Sequence, residues 1–231
     1  MGGGYMIYMI LAMGLSAIGG LVSSRLKSKF QHYSQFRIRS GQTGAQVARE
    51  MLDYYGLQDV QVLSSKGFLS DHYNPLKKTV NLSPDVYNGR HIMSAAVAAH
   101  ECGHAVQHDE SYAALSMRSA LVPVVKFATT AQQVLLFAAF SLAYQFPIIM
   151  LITAAAFGAT ALFSLVTLPV EFDASKRALV WLDESGALVG DEYDGAKDGL
   201  WWAAMTYVAG ALSSLILFLF FILQYLGNNR R

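Results

Sequence analysis

Residues 201–226 read WWAAMTYVAGALSSLILFLFFILQYL, a run without Asp, Glu, Lys, Arg or His. A helix needs about 20 mainly apolar residues to cross a bilayer. This run exceeds that length, opens on Trp201-Trp202 and closes near Tyr225, as interfacial aromatic anchors do. Two further stretches, 1–24 and 127–170, also lack those five residue types. The stretch 127–170 is twice as long as one span requires. Its break at Tyr144-Gln145-Phe146-Pro147 predicts a tight hairpin of helices over Thr129–Tyr144 and Pro147–Leu168, the first diluted by Thr129, Thr130, Gln132 and Gln133. A hairpin buried in a soluble core is the competing reading. The first block, Tyr5 to Val22, barely reaches spanning length. It lacks a basic leader and a small-x-small cleavage site, so it reads as a retained anchor.

The rest of the composition agrees. The chain has 231 residues, a net charge of +1 and 14% charged residues, against about 25% in average domains. All six His fall between Arg25 and Lys126. An ordinary soluble domain, a disordered chain and a disulfide-stapled scaffold are excluded. Nucleic acid is not an expected partner, because no clustered basic face is present. A transporter would want ionisable groups inside the spans, and the blocks have none. The expected partner is the lipid bilayer.

Lys and Arg near the spans set orientation. Arg25, Lys27, Lys29, Arg37 and Arg39 follow the first span with no acid among them, which puts that loop in the cytoplasm. Both polar segments, 25–126 (net basic) and 170–198 (net acidic), then face the cytoplasm. Arg230-Arg231 argues mildly the other way for the C-terminus. The organisation expected is an anchor over 1–24, a polar domain over 25–126, a membrane hairpin over 127–169, a helix over 170–198 and a last span with its tail over 199–231.

Within the polar insert, Thr43 is a plausible N-cap for a helix that ends at Gly56. Val60–Leu63 and Lys78–Leu82 read as short strands, and Ser83-Pro84-Asp85 as a turn. A second helix should begin near Asn88–Ser94 and run to about Gln107. It carries His100-Glu101-Cys102-Gly103-His104, an H-E-x-x-H motif. Positions i and i+4 share a helix face about 6 Å apart along the axis, so two imidazoles can converge on one Zn²⁺. Glu101 sits beside them, where a carboxylate can take a proton from a zinc-activated water. Gly103 suits close packing over the site. Cys102, at i+2, points away from the His face and reads as a small buried hydrophobe. His108 is about 12 Å from His100 along the axis, too far to share one zinc.

A catalytic zinc takes three protein ligands. Glu110 stands where a third His would fall in one common arrangement, so a carboxylate from elsewhere is needed. Glu171 is the best candidate, at the head of a probable helix just past the third span. Asp173 is the alternative ligand, or the residue that orients a His imidazole.

The run Ala98 to His108, with Asp71-His72-Tyr73-Asn74-Pro75, Leu82-Ser83-Pro84, Arg118 to Pro123 and Pro169 to Ser175, resembles the YugP-type bacterial membrane neutral zinc metallopeptidases. The resemblance covers nearly the whole chain. It implies a mainly α membrane protein, with about four transmembrane helices and a small α+β gluzincin-like zinc peptidase core. It implies one Zn²⁺ per chain on His100, His104 and Glu171, with Glu101 as general base. It also implies a polypeptide substrate and a place in the bacterial cell membrane; because Glu171 abuts a span, the substrate expected is a membrane protein or membrane-proximal peptide. More distantly the chain resembles HtpX-type and CAAX prenyl proteases, which place an Asp four residues after the Glu ligand. Ser175 stands there instead, so Asp173 or Ser175 is left for that role. Arg177, His91, His72 and Tyr73 are candidates to steady the oxyanion. The strand around Lys78–Leu82 is a candidate sheet edge for an extended substrate. A catalytically silent zinc-binding membrane scaffold or assembly factor is the alternative, which would not need Glu101.

Overall fold

The computed structural model describes residues 2–67, 70–142 and 145–228. The chain is mainly helical, with a small three-stranded sheet. In order the elements are α1 (Gly2–Tyr33), α2 (Gly44–Tyr54), β1 (Gln61–Ser64), β2 (His72–Asn74), β3 (Thr79–Leu82), α3 (Pro84–Tyr87), α4 (Ile92–Asp109), α5 (Ala113–Leu142), α6 (Ile148–Glu184) and α7 (Asp191–Asn228). Among the described residues, α1, α5, α6 and α7 are long and apolar enough to cross a membrane. Two compact units result.

The first unit comprises Met1–Ser23, Met117–Leu168 and Met205–Arg231. Its centre is aromatic. Phe157 stacks on Phe221 with ring centroids 5.6 Å apart, and Tyr8, Phe140 and Phe220 close around them. Small residues set the helix spacing, with Ala139 and Ala154 fully buried, as expected where packing rather than water drives association. The polar residues that dilute α5 have partners. Gln132 donates to the Ala156 carbonyl and to Thr160 Oγ1, and Thr129 and Thr130 bond back to carbonyls of their own helix. Phe127, Val134 and Phe137 stand outward, each at least 70% exposed, an apolar surface suited to lipid. The expected hairpin break includes Tyr144, which lies outside the described residues, as do Arg230 and Arg231.

The second unit comprises Ser24–Ser116 and Pro169–Ala204. Helix α4 is its axis. Ala95, Ala96, Ala98, Ala99, Cys102 and Ala105 are all buried, so α4 is apolar nearly all round and has protein on most sides. His91 is its N-cap. Its ring accepts from the Ser94 amide, and its own amide donates to Ser94 Oγ. Helix α2 begins at Thr43 with a reciprocal cap to Gln46, and its chain turns at Gly56 with φ +75°.

The sheet order is β1-β3-β2, with β1 parallel and β2 antiparallel to β3. This corrects the expectation that the strand around Lys78–Leu82 is an edge: β3 is central, and β2, too short to show alternation in sequence, is an outer strand. Asn74 Oδ1 accepts from the amides of Leu76 and Lys77 and closes the β2–β3 turn. Asp71 accepts from the Ser83 amide at 2.7 Å and from its hydroxyl at 3.0 Å. These bonds tie the two short motifs upstream of α4 to each other. Burial pushes the Asp71 carboxyl upward, and the Ser83 donors offset only part of that. Ser83-Pro84-Asp85 is the start of a short helix rather than a plain turn, because Pro84 fits its first position without losing a hydrogen bond.

Glu171 was expected at the head of a helix. Instead α6 runs without a break from Ile148 through Pro169 to Glu184, so Glu171 lies well inside it. A helix-start macrodipole therefore does not account for this acid.

Candidate metal centre

Helix α4 places His100 and His104 one turn apart, their rings 4.8 Å between centroids and inclined at 79°. Helix α6 brings Glu171 across from them. Glu171 Oε2 lies 3.3 Å from His100 Nε2 and 3.8 Å from His104 Nε2. All three donor atoms lie within 4.8 Å of one another. Glu171 and His104 are buried, and His100 is nearly so.

The other ring nitrogens are engaged on the far side. His100 Nδ1 is 3.0 Å from Ser175 Oγ, and His104 Nδ1 is 3.0 Å from Gln107 Oε1. Both rings therefore direct Nε2 inward toward the carboxylate. Burial lowers the His104 pKa, but the nearby Glu171 and Glu101 carboxylates outweigh it, and the net shift is upward.

The donor set fits a zinc ion. Ligands about 2.1 Å from a tetrahedral metal stand about 3.4 Å apart, close to the two His–Glu separations. Two imidazoles, one carboxylate and an outer hydrogen bond on each ring form the donor chemistry that zinc takes in catalytic sites.

Glu101 lies one residue from His100 and is buried, with Oε2 accepting from the Tyr73 amide at 3.0 Å. The Tyr73 hydroxyl pairs with His108 Nδ1 at 2.9 Å, so strand β2 is fastened to α4 at two points. His108, exposed and off the ligand group, serves this second fastening. Gly103 lets α6 approach. A Cβ there would stand 2.5 Å from the Ala174 carbonyl oxygen, a contact that the backbone cannot yield. Cys102 is fully buried, its thiol turned to the Ala48 carbonyl and its pKa pushed up by desolvation.

Asp173 does not join the ligands. Its Oδ2 accepts from Gln107 Nε2 at 2.8 Å and from Arg177 Nε at 2.6 Å. Ser175, rather than Asp173, meets a His ring directly. Of the oxyanion candidates, Arg177 is held between Asp173 and Glu110, and the Tyr73 hydroxyl is held by His108. His72 turns Nδ1 to the Ser70 carbonyl. His91 caps α4 nine residues before His100, about 13 Å along the axis, which removes it from the site. Gln107 was not foreseen. Its sequence signal is faint: a polar residue about one turn past His104, on the same face as the two imidazoles.

Four helices long and apolar enough to span a membrane, with two helix-borne imidazoles and a facing carboxylate that could hold a metal, mark a membrane metalloprotein. The chain belongs to the family described as "Putative neutral zinc metallopeptidase", whose model matches residues 5–226. It is 41% identical over 226 residues to the "Putative membrane protease YugP" of Bacillus subtilis (strain 168), spanning 96% of this chain and 98% of that one. No solved structure matches it.

Proposed function

We propose that this protein hydrolyses peptide bonds at a single zinc held by His100, His104 and Glu171, with Glu101 as general base. The observation that carries the reading is the meeting of three donor atoms within 4.8 Å, beside a buried carboxylate that is not among them. Zinc in such a site supplies Lewis-acid polarisation of the scissile carbonyl and lowers the pKa of water to about 7. Glu101 accepts the proton of the attacking water and returns it to the leaving amine. The Tyr73 amide fixes Glu101 Oε2 for that task. Ser175 and Gln107 hold the two imidazoles by their outer nitrogens.

An extended substrate fits the outer strand β2. Tyr73 turns its amide away from β3 toward Glu101, so a substrate lying alongside β2 passes the general base without needing that amide. Glu171 follows the charge-free stretch 127–170 directly in sequence, which favours membrane proteins and membrane-proximal peptides as substrates. The basic cluster Arg25 to Arg39 favours a cytoplasm-facing site in a bacterial cell membrane.

The test compares zinc-loaded wild type with Glu101→Gln on a panel of membrane-protein fragments. The reading expects zinc in both and cleavage only by wild type. A Glu101→Gln variant with full hydrolysis removes Glu101 from the reaction. A zinc-loaded wild type that cleaves nothing favours the silent scaffold.

A further inference from the structure

We infer that Gln107 is a positioning residue that sets the His104 ring and the Glu171 helix together, so that both meet one metal. The inference rests on reading His100, His104 and Glu171 as ligands.

Gln107 is fully buried, three residues after His104 on α4. A glutamine amide has two donors on Nε2 and an acceptor on Oε1. Here Nε2 lies 2.8 Å from the Val170 carbonyl oxygen and 2.8 Å from Asp173 Oδ2. Both partners accept only. Asp173 is held in that role by the Arg177 guanidinium at 2.6 Å. Turning the amide over would set Oε1 against two acceptors in a buried place, a costly arrangement. The network therefore fixes the amide orientation, and Oε1 faces His104 Nδ1 at 3.0 Å.

Oε1 can only accept, so the His104 ring carries its hydrogen on Nδ1. The lone pair is left on Nε2, the atom that faces Glu171. A metal ligand needs that tautomer. The same amide grips the Val170 carbonyl, one residue before Glu171, and so sets the register of α6 against α4. Arg177 extends the connection to Glu110 at the end of α4, at 2.7 Å. His104, Gln107 and Glu110 on one helix thus face Val170, Asp173 and Arg177 on the other. Gln107 touches neither substrate nor metal, and acts through His104 and Glu171.

The experiment measures zinc affinity by chelator competition on the full chain in lipid nanodiscs, with the absorption spectrum of the cobalt-substituted protein as a second readout. Gln107→Leu should weaken zinc binding about 10- to 100-fold and alter the cobalt spectrum. Gln107→Glu alone should also weaken it, because a carboxylate would then face Asp173 and the Val170 carbonyl. Adding Asp173→Asn should recover part of that loss by reversing the polarity of that pair, while the Val170 carbonyl still lacks its donor. Wild-type affinity in Gln107→Leu, or no recovery in the double variant, overturns the inference. His104→Ala separates the two readings. If it abolishes zinc binding while Gln107→Leu keeps wild-type affinity, the ligand assignment stands and only the positioning role falls. If it leaves zinc binding intact, the ligand assignment itself falls.

Discussion

The Tyr73 amide nitrogen stands 3.0 Å from Glu101 Oε2, a bond from an outer strand to the middle of the metal-site helix. It holds one oxygen of a buried carboxylate beside the imidazoles. A hydrogen bond to a charged group contributes about 1.5–3 kcal/mol, and a proline cannot donate one. Tyr73→Pro should therefore lower peptide cleavage at least about tenfold while zinc stays bound, since 1.4 kcal/mol is a factor of ten. Tyr73→Phe keeps the amide and loses only the His108 contact, so it should cleave nearly as wild type. Steady-state rates and zinc content of both variants check this.

Gly103 and Ala174 mark the closest approach of the two ligand-bearing helices. Gly103→Val should destabilise the protein by about 1–3 kcal/mol through overpacking and should also weaken zinc binding, because α6 must back away with Glu171. Thermal melts with and without zinc provide the measurement. A cavity-creating change on α2, which carries no ligand, Leu52→Ala, should lower stability without the separate loss of zinc affinity.

His104 carries the pH dependence. Its pKa is raised in the metal-free fold, where the Glu171 and Glu101 carboxylates favour the protonated ring against the opposing effect of burial. Protonation of this group favours the fold below its ordinary value near 6.5. That contribution is lost as pH rises through the raised folded-state value. Zinc competes with the same proton, so its affinity should rise with pH across the same window. Metal-free melts and zinc titrations between pH 6 and 8 should slope in opposite directions.

Thr43 offers a control away from the metal. Its hydroxyl accepts from the Gln46 amide at 3.2 Å. Thr43→Ala should cost about 1 kcal/mol and leave zinc content and cleavage per folded molecule unchanged.

Spacing along a single helix was the most readable feature. His100, Glu101 and His104 depend only on the 3.6-residue period, and the charge-free blocks depend only on composition. The helix start at Thr43 was also legible, because capping is local, and α4 begins inside the expected 88–94 window. What depends on distant partners was not. Strand β2 has three residues and pairs only because β3 lies beside it. Gln107 has a task only because folding brings Asp173, 66 positions away, within 2.8 Å. The span expected to end at Leu168 in fact continues through Pro169, so Glu171 is placed by an unbroken α6 and not by a helix start.

The central claim is that His100, His104 and Glu171 bind one zinc, and the most direct test is the metal content of purified protein. Elemental analysis of wild type and of His100→Ala, His104→Ala and Glu171→Ala, each checked for folding, should find one zinc per chain in wild type and strongly reduced zinc in every variant. Full zinc occupancy in a folded Glu171→Ala or His104→Ala variant, or a wild type that takes up none when zinc is supplied, would contradict it.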